Sequence, residues 1–240
     1  EPGATYVGNF TLPVHAGTDY ITIRSAASDT LLPPPGVRIT PAYAQYLPKI
    51  RSSNSEASMH TAPGAAYWRL MDLEFQANYK GYGDILKLGD GSAAQNDIAL
   101  VPHHLVVDRV YMHGDPIDGQ KRGIGLNSGD TTIIDSYISD IKAIAQDSQA
   151  IAGWNGSGPY RIANNYLEAA GEIVLFGGDD PKIAGLTPTG ITIRNNVIRR
   201  PASWQGAVVP TPANVRPTVG TGLLPAGTYG YRVMARQKVS

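Results

Sequence analysis

The 240-residue sequence contains no cysteine, which excludes structural disulfides and thiolate metal sites. Charged residues make up only 17% of the chain. Lysine and arginine total 20, as do aspartate and glutamate, and no basic run occurs. Because nucleic-acid-binding proteins usually carry a cationic face, we predict no nucleic-acid partner. No apolar stretch approaches the roughly 20 residues needed to cross a bilayer, so we also predict no membrane span.

Glycine and proline are abundant instead, with 27 and 18 residues. Hydrophobic residues reach 42%, which is enough to bury a sizeable core. This mixture is typical of many short strands joined by turns, and it argues against long helices.

A short motif recurs along the middle of the chain: a hydrophobic residue, any residue, Asp or Asn, two further residues, and a second hydrophobic residue. Its copies lie at 70–75, 106–111, 133–138, 162–167 and 193–198. The Asp and Asn positions, 72, 108, 135, 164 and 195, are 36, 27, 29 and 31 residues apart. Such spacings fall within the range of solenoid repeats.

Between these copies lies a second set of short apolar segments that end in glycine. They occupy residues 86–91, 124–129, 151–156 and 174–179. Each repeat therefore supplies a strand, a tight Asp or Asn turn, a second strand, a loop and a third strand.

This pattern favours an all-β solenoid of three parallel sheets. Asp and Asn tolerate the left-handed conformation of a tight turn, and their side chains can bond to the next coil about 4.8 Å away. We expect the five Asp and Asn side chains to form one inward-facing file. No helical segment of a dozen residues separates the strands, which disfavours folds with helical crossovers. An antiparallel β-sandwich is the alternative, but it would not return a polar residue to one position of every unit.

The segments 160–167 and 191–198 resemble the asparagine-ladder turns of the right-handed parallel β-helix superfamily, the pectate-lyase-like fold. The resemblance covers residues 5–209, and it implies a right-handed coil with a substrate groove along one sheet. It says less about activity, because the superfamily also includes hydrolases, tailspikes, adhesins and inert scaffolds.

The two ends depart from the repeat. Residues 26–66 contain Pro33, Pro34 and Pro35 and a short helix at 42–46. This excursion could cap one end of the solenoid or overhang one face, and we expect the cap because an open end would expose the core. We assign residues 1–209 to the solenoid and 210–240 to a proline-rich linker and an incomplete segment. Within it, residues 226–233 resemble the first strands of a fibronectin type III-like module. Such tandem modules indicate an extracellular or cell-surface protein that is attached or self-associates through flanking modules.

The resemblance places the substrate groove over the sheet of glycine-terminated strands. We expect Lys87, Gly125, Ala152 and Leu175 to form one outward column and Gly89, Asn127, Trp154 and Gly177 the next. A sugar ring could stack on Trp154, although this residue could equally fill space beneath a loop. The predicted substrate-binding residues are Lys87, Asn127, Gln149, Trp154 and Asn155.

More polar residues lead into these strands. Equivalent positions before four of them hold Asp84, Arg122, Gln149 and Glu172, which we predict to form a polar row along the groove. A polysaccharide lyase needs a base and a means of neutralising the uronate carboxylate. We predict Lys121 and Arg122 as the catalytic pair. A tentative Ca²⁺ site would use oxygen ligands from Asp147, Glu172, Asp179 and Asp180, although the acidic cluster typical of pectate lyases is incomplete.

His103 and His104 suggest a metal site, but neighbours on a regular strand point to opposite faces, so we do not expect them to share a ligand. Two functions therefore follow from the sequence. The first is a carbohydrate-active β-helix that acts as a lyase on an acidic polysaccharide. The alternative is a non-catalytic scaffold or adhesin that presents a binding surface.

Overall fold

The computed structural model describes residues 1–143 and 146–204, and its strands form three sheets, here called A, B and C. Sheet A contains β1 (Thr5–Val7), β4 (Lys49–Arg51), β7 (Glu74–Gln76), β10 (Tyr111–His113), β13 (Tyr137–Ile141), β16 (Tyr166–Ala169) and β19 (Val197–Arg199). Sheet B contains β2 (Phe10–Leu12), β5 (Met59–Thr61), β8 (Asp84–Leu88), β11 (Arg122–Leu126), β14 (Gln149–Gly153) and β17 (Val174–Phe176). Sheet C contains β3 (Ile21–Arg24), β6 (Ala66–Met71), β9 (His103–Asp108), β12 (Gly129–Ile134), β15 (Gly158–Ala163) and β18 (Ile191–Arg194).

The chain visits the three sheets in the repeating order A, B, C, and each strand pairs in parallel with the strand one circuit earlier. This arrangement is a three-sheet parallel β-solenoid, which confirms the predicted fold class. It excludes the β-sandwich, whose neighbouring strands would run antiparallel. The predicted handedness of the coil stays a prediction.

The core consists of files of apolar side chains that stack from circuit to circuit. On sheet B, Leu86, Ile124 and Ile151 are in register, and all three are 0% exposed. Ile193 and Ile198, on the last described strands, are 44% and 56% exposed. Burial at each level therefore comes from the circuits above and below it, as expected for a solenoid.

The turns that lead from sheet C to sheet A carry the repeated left-handed residue. Positive φ occurs at Asp72, Arg109, Asp135, Asn164 and Asn195. The second member of the set is Arg109 and not the predicted Asp108, because Asp108 pairs with Met71 at the end of the preceding strand. In the copy at 106–111, the predicted turn position is therefore one residue too early in the sequence.

The inward side chains at these turns belong to the following residue. Asn165 Oδ1 accepts from the Ser136 amide at 2.9 Å, and Asn165 Nδ2 donates to the Ile133 carbonyl at 2.9 Å. Asn196 Oδ1 accepts from the Asn165 amide at 2.8 Å. Asn164 instead faces outward, so its predicted inward orientation is wrong.

The proline-containing excursion packs against these outward side chains. Gly36 N donates to Asp135 Oδ2 at 2.8 Å, and Arg38 Nε donates to the Asn164 carbonyl at 2.9 Å. A separate apolar cluster forms around Leu32, Ile39 and Leu47, against the outer side of sheet A. The segment therefore covers a side of the solenoid across several circuits. The expectation that it caps an end is wrong.

The helices of the described residues are all short 3₁₀ turns, and the predicted helix near 42–46 is the longest, Pro41–Tyr46. None of them is long and apolar enough to cross a membrane. The chain divides into residues 1–200 and a second unit of residues 201–240, of which the structure describes 201–204. The predicted linker and fibronectin-like segment at 210–240 lie outside the described residues.

Replacing Asn165 with alanine tests the inward amide. The substitution leaves the buried Ser136 amide and Ile133 carbonyl without their partners, so we expect the free energy of unfolding to fall by about 1–3 kcal/mol. Chemical denaturation measures the change. Thr192→Ala, at an exposed outward position of β18, is the control and should change stability by less than about 0.5 kcal/mol. Equal losses of stability in Asn165→Ala and Thr192→Ala would contradict the inward orientation of Asn165.

Asp72 provides a pH test, because its side chain is fully buried and neither carboxylate oxygen has a hydrogen-bond partner among the described residues. Burial raises its pKa from 3.8 to about 6, although Arg109 and Arg24 lie nearby. The folded state therefore holds this proton more tightly than the unfolded chain does.

The stabilisation from protonated Asp72 should be complete below about pH 4 and lost as the pH rises through about 6, a difference of at most about 3 kcal/mol. Asp72→Asn removes this titration, and asparagine tolerates the positive φ. Denaturation of both proteins between pH 4 and 7 should show the wild type losing stability relative to the variant. A difference in stability between the two proteins that stays constant from pH 4 to pH 7 would contradict the raised pKa of Asp72.

Candidate functional site

The outer face of sheet B follows the predicted register. Lys87 aligns with Gly125, Gly125 with Ala152, and Ala152 with Leu175, and the column continues through His60. Gly125 and Ala152 are buried, so they do not form the exposed flat surface that the sequence suggested. At Gly125 a Cβ atom would collide with the Asp84 carboxylate, which lies directly over this glycine.

The predicted polar row is confirmed. Arg122 aligns with Asp84 on one side and with Gln149 on the other. Arg122 Nη1 donates to Asp84 Oδ1 at 2.8 Å, and Arg122 Nη2 donates to Gln149 Oε1 at 3.1 Å. Gln149 Nε2 donates to Glu172 Oε2 at 3.1 Å. One hydrogen-bonded chain thus connects side chains from four successive circuits.

Burial is the largest influence on the Asp84 carboxyl group and raises its pKa, although Arg122, Lys87 and Lys121 all act in the opposite direction. At the far end of the row, the hydrogen bond from Gln149 lowers the pKa of the exposed Glu172. The pKa values of the carboxyl groups at the two ends of the row are therefore shifted in opposite directions.

Two adjoining concavities follow sheet B. The first, of about 260 Å³, is lined by residues that include Thr11, His60 and Pro102. The second, of about 450 Å³, is lined by residues that include Trp154 and Lys182. Because Lys87 and Asp90 line both, we treat the two as one surface, here called the sheet B groove.

Trp154 packs against a loop and also faces the groove, and its predicted stacking on a sugar stays a prediction. Its indole Nε1 donates to the Gly91 carbonyl at 2.9 Å, and a Cβ atom at Gly91 would collide with the indole ring, so the ring edge fills space against the 90–93 loop. The half-buried ring also lines the groove, and the Arg122 guanidinium lies 5.3 Å from its centroid. The loop and Arg122 therefore fix an aromatic surface at the groove wall.

Three ion pairs balance the charge of the groove. Lys87 Nζ lies 2.9 Å from Asp90 Oδ2, Lys182 Nζ lies 3.0 Å from Asp179 Oδ2, and Arg122 forms the third pair with Asp84. Hydrogen bonds from Lys182 lower the pKa of Asp179. Asp90, for which burial alone would raise the pKa, has a lowered pKa because Lys87 and Ser92 donate to it. Each groove cation is thus engaged by a carboxylate.

Asn127 and Asn155, which the sequence placed at the substrate surface, are buried. Asn127 Oδ1 accepts from the Trp154 and Asn155 amides at 2.9 and 2.8 Å. Asn155 Nδ2 donates to the Asp90 and Gln95 carbonyls. The outward position predicted for Asn127 is therefore wrong, since both amides hold the turns that carry the groove residues. Gln149 is also buried, and its contribution is to the polar row.

Of the predicted catalytic pair, Arg122 lies in the polar row with its guanidinium bound by Asp84 and Gln149. Lys121 is half-buried, and its charge favours the ionised form of Asp84. The structure therefore brings Arg122 against two groove-lining residues, Asp84 and Trp154. Their catalytic role stays a prediction.

The predicted Ca²⁺ ligands separate. Glu172 belongs to the polar row, Asp179 pairs with Lys182 in the groove wall, and Asp147 and Asp180 are exposed. Across residues 1–143 and 146–204, no three His, Asp or Glu side chains form a group that could hold a metal ion. A calcium site at these four residues has no geometric support in this part of the chain.

Sequence reasoning missed the ion pairs that shape the groove. Lys87 with Asp90, and Asp179 with Lys182, are each three residues apart and lie just after a strand of sheet B or at its end. Oppositely charged residues at that spacing after the glycine-terminated strands were the available signal. The link between His60 and the groove had no such signal, because it depends on the register of β5 against β8.

Comparison of the sequence with protein-family models, with curated proteins and with solved structures finds no match. The fold therefore defines the class of this protein, a parallel β-solenoid with a polar groove over sheet B. What the groove does has to be argued from its own geometry.

The Asp84–Arg122 pair can be tested by a double-mutant cycle. Arg122→Met leaves a largely buried carboxylate without its cation, so we expect stability at pH 7 to fall by about 3 kcal/mol. Asp84→Asn combined with Arg122→Met should recover a substantial part of that loss, because no charge is then left unpaired. Urea denaturation of the four proteins measures the coupling. Additive losses would show that the two side chains act independently.

Proposed function

We propose that this protein is a carbohydrate-active β-solenoid that binds a polysaccharide chain in the sheet B groove. The observation that carries the proposal is the continuity of the two concavities at Lys87 and Asp90. The extracellular or cell-surface location expected from the sequence is part of this proposal.

The length and direction of the groove support a polymeric ligand. Its lining begins at Thr11 on β2 and reaches Asp179 just beyond β17. These strands are separated by five strand spacings of about 4.8 Å, so the groove runs about 24 Å along the solenoid axis. An elongated chain fits this shape better than a compact metabolite does.

The chemistry of the lining also suits sugars. A pyranose presents apolar C–H faces and a rim of hydroxyl groups, and Trp154 offers an aromatic surface beside charged groups that can donate to or accept from hydroxyls. Because every groove cation already has a carboxylate partner, a uronate would have to displace an internal ion pair. This balance favours a polysaccharide of low charge over the acidic one expected from the sequence.

The second candidate within this proposal is lyase activity from Lys121 and Arg122. Its support is the position of Arg122 beside Asp84 and Trp154, which line the groove. The Arg122 guanidinium donates to Asp84 Oδ1 at 2.8 Å, and this internal contact competes with any contact to a substrate. The same contact favours the non-catalytic alternative, a scaffold or adhesin that binds glycans without cleaving them.

The experiment is a binding and cleavage screen with neutral and acidic polysaccharides. We expect binding of a neutral glycan, with affinity reduced at least about tenfold in Trp154→Ala, since aromatic contacts contribute on the order of 1 kcal/mol or more. Tyr79→Ala is the matched control because Tyr79 is a 56% exposed aromatic that does not line the groove.

The absorbance of unsaturated uronate products separates cleavage from binding. Release of such products by the wild type and their loss in Lys121→Ala would support the lyase. Binding without products would support the scaffold. No binding to any member of the panel, or equal effects of Trp154→Ala and Tyr79→Ala, would overturn the proposed groove.

A further inference from the structure

The outer face of sheet C has an unusual backbone feature. Tyr67, His104 and Asp130 occupy equivalent positions on β6, β9 and β12, and all three have positive φ, of 60°, 52° and 32°. Left-handed backbone costs about 1–2 kcal/mol for a bulky residue, and such strain concentrates at functional sites. Tyr67 is the unusual member of the three, because histidine and aspartate tolerate this conformation better than a bulky aromatic residue does.

One consequence of this backbone is the meeting of two imidazole rings. His103 and His104 were expected to point to opposite faces, but their ring centroids lie 4.8 Å apart and their Nδ1 atoms 2.6 Å apart. The expectation holds only for regular strand geometry, and the left-handed residue at 104 breaks it. The two Nδ1 atoms thus lie within hydrogen-bond distance, so one of them carries a proton that the other accepts, and a metal ion would replace that proton.

The other nitrogen of His104 is bound by a carboxylate. His104 Nε2 lies 3.2 Å from Asp130 Oδ2. A carboxylate accepts a hydrogen bond from the ring, which places the proton on Nε2 and leaves a lone pair on Nδ1. Metal-binding histidines commonly have this arrangement, with the second nitrogen donating to a carboxylate that fixes tautomer and orientation.

Aromatic contacts hold both rings. Tyr67 packs against His104 with centroids 4.5 Å apart and meets His103 edge-on at 6.0 Å. Tyr20 in turn packs edge-on against Tyr67 at 5.7 Å.

We propose that His103 and His104 bind a divalent transition-metal ion through their two Nδ1 atoms, with Asp130 as the residue that orients His104. Two nitrogens each about 2.0–2.1 Å from a metal at a right angle lie about 2.9 Å apart, so a small opening of the pair suffices. Imidazole ligands select copper, nickel or zinc over calcium or magnesium.

The site has two protein ligands, since the described residues contain no group of three metal-binding His, Asp or Glu side chains. The remaining coordination positions would belong to water or to an external ligand. This proposal does not depend on the sheet B groove, because it uses a different sheet and different residues.

The test is calorimetric titration of the chelator-treated protein with Cu²⁺ and, separately, with Zn²⁺, at pH 7.5. We expect one site per chain, with Cu²⁺ bound more tightly than Zn²⁺. His103→Ala and His104→Asn should each weaken binding at least tenfold, and asparagine retains tolerance of the positive φ. Asp130→Asn should weaken it by about 10- to 100-fold, as for other residues that orient metal-bound histidines.

His60→Ala is the matched control, because His60 lies on sheet B with its Nε2 bonded to Thr11. It should leave affinity unchanged. Electron paramagnetic resonance of the Cu²⁺ form should show coupling to two imidazole nitrogens. Absence of binding at millimolar metal, or affinity that is unchanged in His103→Ala, would overturn the proposal. His103 has no left-handed backbone, so its replacement remains informative if His104→Asn misfolds.

Discussion

Parallel pairing between successive circuits is the constraint on which the rest of this structure depends. Each strand lies beside its equivalent one circuit earlier, so a side chain at a given position meets its counterpart at a spacing of about 4.8 Å. The apolar file through Leu86, Ile124 and Ile151 is one result. The polar row that includes Asp84, Arg122 and Gln149 is another, built by the same register on the outer side.

The turns are the places where this pairing could fail, because the backbone leaves one sheet and its polar groups lose their strand partners. Buried amides satisfy those groups. Asn165 serves the turn from sheet C to sheet A, and Asn127 with Asn155 serves the turn that follows sheet B. The second pair also sets the position of Trp154, so the groove wall depends on buried side chains that never reach its surface.

Left-handed backbone occurs in two different settings in this molecule, at turns and within strands. At Asp135 and Asn164 it belongs to a turn, and the residue types tolerate it. At Tyr67 and His104 it interrupts strands, and the rings of those residues gather on one face. Histidine tolerates this conformation, whereas tyrosine does not favour it. Local sequence preference explains the turn residues, whereas only pairing between circuits explains the alignment of the strained ones.

The sequence alone determined the parallel solenoid, the glycine-terminated strands of sheet B and the polar row, because recurrence at one position per circuit is visible in a single chain. It could not align Asp108 against Arg109, orient Asn164, or decide whether the excursion in residues 26–66 caps an end or covers a side. It also placed His103 and His104 on opposite faces. Those features were decided by tertiary structure, because a shift of one residue or one left-handed φ reverses which way a side chain points, and that choice depends on contacts between circuits.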